Sequence, residues 1–135
     1  MATKIFVNLP VKDLERAKEF YVGLGYAVNP QFSDENAACL VISDEIFVML
    51  LVEPFFKNFT RKDIADATAS TEAIVALSAD SRAEVDELVD RALAAGGRPT
   101  MDPMEMDGMY GRSFQDPDGH QWEVIWMDPS AVQGC

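Results

Sequence analysis

Basic residues are scarce in this chain. Lys and Arg number 11 against 23 Asp and Glu, with a single His, so the formal charge is −12. A surface this negative is repelled by phosphate backbones and by anionic headgroups, which argues against nucleic-acid and membrane-surface roles. Cysteine is scarce as well. Cys39 lies in the apolar run from Ala37 to Ile42 and reads as a buried thiol, and Cys135 is the last residue. Two such residues build no disulfide framework, and the expectation is a reducing, cytoplasmic setting. No apolar run approaches the roughly 20 residues that cross a bilayer. Asn8 and Pro10 interrupt the opening stretch, so no secretory signal is read there. A phosphate-cradling glycine loop, a metal-type cysteine pairing and a serine nucleophile elbow are also missing.

What is present suits a packed core. The 135 residues are 48% hydrophobic and 25% charged, enough for one compact domain or two small fused modules. An internal repeat favours two modules. Ile5 to Leu9 reads as a short apolar strand, and a helix follows from Asp13, its N-cap, with apolar residues at Ala17, Phe20, Tyr21 and Leu24 and a stop at Gly25. Shifted by 68 residues (17 to 85), the pattern returns. Ala73 to Leu77 is the strand, Ser81 and Glu84 form a capping box, and Val85, Leu88, Val89 and Ala92 make the stripe, with Gly96-Gly97 as the stop.

Strand-like segments follow each helix: Tyr26 to Phe32, Ala38 to Ile42 and Ile46 to Val52, then Gly97 to Met101, Tyr110 to Gln115 and Gln121 to Met127. Pro30 confines the first of these to an edge, and Asp116-Pro117-Asp118-Gly119 marks a turn. Each half therefore reads β-α-β-β-β. Module one spans residues 1–52, a connection with a short helix 53–70, module two 71–127 and a tail 128–135.

Three stretches carry a resemblance: Val11 to Tyr21 with Leu24-Gly25-Tyr26, Ala76-Leu77-Ser78, and Asp116-Pro117-Asp118-Gly119-His120-Gln121-Trp122-Glu123. Together they resemble the vicinal oxygen chelate superfamily of glyoxalase I, bleomycin-resistance proteins and extradiol dioxygenases. The resemblance implies an α+β fold of two βαβββ modules forming a cup-shaped mixed sheet. It also implies a small-molecule ligand in the cup and, in some members, a homodimer. Fold alone does not assign chemistry.

The metal-dependent relatives place ligands on the first and last strands of each module, which implies four positions here: Phe6, Ile74, a residue near Met49, and Glu123. Only Glu123 is a usable donor, because phenylalanine and isoleucine donate nothing and a thioether suits a hard cation poorly. No metal and no cofactor is therefore expected. The alternative is a metal-dependent lyase or dioxygenase of the same superfamily whose metal site is altered.

Strand alternation places Phe6 and Asn8, Phe47, Met49 and Leu51, Ile74 and Ala76, and Gln121, Glu123 and Ile125 toward the cleft. Such a lining, apolar with few polar groups, is that of a small-molecule pocket; the same side chains could instead simply fill the cup. The ligand-binding set is Phe6, Asn8, Phe47, Met49, Ile74, Arg112, Gln121 and Glu123. Glu123 is a candidate catalytic base, an anchor for a cationic ligand, or a buried carboxylate satisfied by neighbours. Arg112 could grip a ligand carboxylate or pair with a structural acid. His120 has the parity of Trp122 and is expected to be an exposed turn residue. The segment Asp102 to Gly108, rich in acids and methionines, lacks calcium-loop spacing. It is expected to be a flexible loop at the cleft mouth whose methionines adapt to varied apolar shapes.

Overall fold

The structure, a computed structural model, describes residues 3–130; the expectation for Cys135 lies outside the described residues. The chain divides after Asp66 into two compact units. Each is built as β-α-β-β-β around a four-stranded mixed sheet.

In the first unit the elements are β1 (Ile5–Val11), α1 (Leu14–Gly23), β2 (Ala27–Asn29), β3 (Ala37–Val41) and β4 (Ile46–Val52), then a short helix α2 (Glu53–Phe56). The sheet order is β1-β4-β3-β2, with β1 parallel to β4 and the rest antiparallel. Asp13 caps α1 by accepting the Arg16 N–H at 3.1 Å. The stripe Ala17, Phe20 and Tyr21 is buried, and so are Leu9, Val11, Leu40, Val48 and Leu50 on the sheet face toward the helix. The expected strand from Tyr26 to Phe32 stops at Asn29. Pro30 has no N–H to give a ladder, and the Asn29 side chain accepts the Gln31 N–H at 3.0 Å, so the chain turns into one 3₁₀ turn.

The second unit repeats the plan with β5 (Ile74–Ala79), α3 (Arg82–Ala94), β6 (Met104–Met106), β7 (Met109–Gln115) and β8 (Gln121–Met127). The order is β5-β8-β7-β6, again with one parallel pair, β5 and β8. Ser81 accepts the Glu84 N–H at 3.1 Å, while the Glu84 carboxylate reaches past the cap to the N–H of Asp80 at 2.6 Å. Val85, Val89 and Ala92 are buried, as are Trp122, Val124 and Phe114. The rings of Phe114 and Trp122 lie parallel with centroids 6.3 Å apart.

One expected strand is displaced. From Gly97 to Met101 only Arg98 bridges, exchanging both backbone hydrogen bonds with Gln115. Pro99 ends that ladder at once. The second strand of the module is instead β6, which turns into β7 through Asp107-Gly108 with Gly108 at φ 79°. A two-residue Asp-Gly connection between paired strands is a hairpin turn, because glycine reaches positive φ without strain. The segment expected to be a flexible loop is thus partly an ordered edge strand.

Candidate functional site

Side chains alternate along β8. Trp122 and Val124 are buried on the face toward α3, and Gln121, Glu123 and Ile125 take the opposite, open face. Register then assembles that face. Ile74, Ala76 and Ser78 of β5 lie beside Gln121, Glu123 and Ile125, and Gln115, Ser113 and Gly111 of β7 flank them on the other side. Over this face opens a pocket of about 280 Å³. Ile74, Met101, Met104, Met109 and Ile125 form its apolar wall, and Gln121, Glu123, Ser113 and Asp102 its polar groups. Among the described residues no hydrogen bond or ion pair engages the Glu123 carboxylate.

The rim is held from below. The Ser113 hydroxyl is 2.5 Å from Thr100 Oγ1 and accepts the Met101 N–H at 3.3 Å. A buried serine on the open face therefore pins the chain that carries Met101 across the pocket. On the other face of the sheet, Glu105 of β6 contacts Arg82 of α3, and Arg82 stacks 4.3 Å above the Tyr110 ring. With Glu105 turned to the helix, its neighbours Met104 and Met106 take the open face.

The expected site residues fall into two sets in different units. Ile74, Gln121 and Glu123 line the pocket of module two. Phe6, Asn8, Phe47 and Met49 are neighbours on the open face of module one, where Phe6 pairs with Phe47 and Asn8 with Met49. The Phe6 and Phe47 rings stack with centroids 5.0 Å apart, and Lys4 Nζ lies 5.7 Å from the Phe47 ring centroid. Arg112 borders the pocket by its place in β7, but its guanidinium belongs to the helix side. It donates to Asp86 at 3.0 Å and to Asp90 at 2.9 Å, which is the structural-acid alternative rather than a ligand grip. Asp86 also accepts from the Tyr110 hydroxyl at 2.6 Å. That bond, against the opposing effect of burial and aided by Arg112, holds the Asp86 carboxyl below its ordinary value. The same bond, here reinforced by burial and opposed by the Arg112 charge, raises the Tyr110 phenol.

His120 is a correction. It is 4% exposed rather than an exposed turn residue. The chain at Ala67 and Thr68 packs directly onto the Asp116–Gly119 turn, and Glu72 Oε1 sits 3.3 Å from His120 Nδ1. The Asp116 carboxylate accepts the N–H groups of Asp118 and His120, which sets the turn. Met101, Met104 and Met109 are pocket residues that strand parity around Glu123 did not supply. The signal that could have found them is Asp107-Gly108, which makes Met106 and Met109 cross-strand partners.

Register also settles which residues are equivalent between modules. Phe6 pairs with Phe47 as Ile74 pairs with Gln121, so two residues further on Met49 corresponds to Glu123. Of the four positions Phe6, Ile74, Met49 and Glu123, one offers a carboxylate. This donor set does not fit a divalent ion that needs several hard or imidazole donors. Among the described residues, no three His, Cys, Asp or Glu are grouped to hold one elsewhere. Also among the described residues, no helix is long and apolar enough to cross a membrane.

No curated protein matches the sequence. Solved structures do. A hypothetical protein from S. aureus is 29% identical over 93% of this chain and 94% of its own, with a TM-score of 0.78. The fosfomycin resistance protein FosX from Mesorhizobium loti is 16% identical over 97% of both chains, with a TM-score of 0.69. A lactoylglutathione lyase from Agrobacterium tumefaciens is 21% identical over 93% of this chain and 94% of its own, with a TM-score of 0.67. The last two share the fold. A family model matches residues 5–124, and with the doubled βαβββ plan this makes the chain a member of the Glyoxalase/Bleomycin resistance protein/Dioxygenase superfamily.

Proposed function

We propose that the chain binds a small, partly apolar organic cation on the open face of module two, without a divalent metal. The observation that carries this reading is the apolar pocket of about 280 Å³ with the Glu123 carboxylate, which no described residue engages, in its wall. The volume lies near the lower end of the roughly 300–1,000 Å³ of small-molecule sites. A carboxylate in such a setting is under-compensated, and a ligand cation supplies the missing charge. The one nearby guanidinium, Arg112, is already held by two aspartates, and the overall charge of −12 raises the local concentration of cations.

The test is equilibrium binding of ligands that share one hydrocarbon body and differ in the head group: ammonium, hydroxyl and carboxylate. The ammonium member binds tightest, and Glu123→Gln lowers its affinity to that of the alcohol while leaving the alcohol unchanged. Equal binding of all three by the wild type overturns the role of Glu123, and no binding of any overturns the reading. Elemental analysis after purification without chelator addresses the metal. Stoichiometric Ni, Zn, Fe or Mn that Glu123→Ala removes would replace this reading with a metal-dependent lyase or dioxygenase.

A further inference from the structure

Five of the seven methionines, at positions 101, 104, 106, 109 and 127, lie in module two, four of them between residues 101 and 109. The register groups them more tightly than their spacing suggests. Met106 of β6 is the cross-strand partner of Met109 in β7, and Met109 is in turn the partner of Met127 in β8. Cross-strand partners share a face, so three thioethers stand in one row across three adjacent strands. With strands about 4.7–4.9 Å apart, each outer side chain reaches the middle one within its own length. Met104 shares the face one step along β6, beside Gly111, where no side chain intervenes.

Packing does not account for this row. Met106 is 57% exposed and Met127 42% exposed, and neither lines the pocket. Leucine would serve an apolar wall as well and specifies a rotamer better. What methionine adds is a soft, polarizable sulphur. Thioethers select soft monovalent copper over hard or borderline cations, and the exposed Asp102 and Asp107 beside the row favour any cation.

We propose that Met106, Met109 and Met127, with Met104 beside them, form a thioether site for a soft monovalent cation, Cu(I) or its redox-inert analogue Ag(I). Met104 and Met109 also line the organic-ligand pocket, but the row Met106, Met109 and Met127 runs along the end of the sheet and does not use Glu123, so the site does not rest on the organic-ligand reading.

The experiment is a titration of the Cys39→Ala/Cys135→Ser protein, in which no thiol competes for silver beside Met49, labelled with ¹³C at the methionine methyls, with Ag(I), followed by NMR. The methyl signals of Met104, Met106, Met109 and Met127 shift together and saturate near one equivalent, and that of Met49 in module one stays in place. Zinc(II) in excess does not reverse the shifts. Met109→Leu, which keeps the volume and removes the central sulphur, abolishes the shifts of its two neighbours, and Met49→Leu leaves them intact. The proposal is overturned if Met49 shifts along with the others, if zinc displaces silver, or if Met109→Leu responds as the parent does. A parent spectrum unmoved by Ag(I) also overturns it, and needs no variant to fold.

Discussion

Gly119 shows how much one residue carries. It sits at φ 91°, and a Cβ there would stand 2.8 Å from the Ala67 carbonyl oxygen and 2.9 Å from the Thr68 nitrogen. Both are backbone atoms and cannot swing away. Gly119→Ala therefore combines a left-handed strain with a steric displacement of the chain that buries His120. A loss of about 1–3 kcal/mol is expected, read as a lower urea midpoint at unchanged slope; a midpoint equal to wild type would mean that the close approach relaxes without cost. At this scale Glu123 was legible, because period-two alternation after a strong turn signal needs only local geometry. The burial of His120 was not, since what covers it lies some fifty residues earlier in the chain.

At the scale of elements, α3 is tied to β7 by one shared carboxylate. Asp86 accepts from Tyr110 and from Arg112, and its carboxyl is held below the ordinary 3.8, first by the tyrosine bond. A depressed native value means that the folded state binds fewer protons than the unfolded chain just below 3.8. Asp86 thus contributes stability that is fully present above 3.8 and is lost as the pH falls through its lowered native value. Asp86→Asn, which resembles the protonated acid, is expected to be less stable than wild type at neutral pH and to converge with it in acid. Urea denaturation of both proteins across the acidic range checks this; a constant gap would place the linkage elsewhere. The strands themselves were unequally legible. β4 and β8 run to the residues expected, β4 because its apolar run is unbroken and β8 because Trp122, Val124 and Trp126 alternate with the residues of the open face after a strong turn signal. β6 was missed because three residues rich in methionine and glutamate carry little strand propensity. The pairing comes from Asp107-Gly108 and from the Asp128 N–H, which donates to the Gly108 carbonyl at 2.8 Å.

For the whole molecule the testable quantity is assembly. The family resemblance implies a homodimer in some members, and the open face of module one leaves Phe6 more than half exposed beside the stacked Phe47 ring. An apolar patch of this kind favours association. Sedimentation equilibrium is expected to return twice the chain mass of 14.9 kDa; a species at the chain mass across micromolar concentrations would count against the dimer.

The amino-acid order by itself determined the doubled βαβββ plan, the caps at Asp13 and Ser81, and the lack of metal donors at Phe6, Ile74 and Met49. Each of these depends on periodicity, capping chemistry or residue identity, which act over a few residues. Only the tertiary structure decided that Arg112 turns its guanidinium to α3, that His120 is covered by the chain around Ala67, and that three methionines from three strands form one row. Those outcomes rest on cross-strand register and on contacts between residues far apart in sequence, where loop conformation sets which side chains meet.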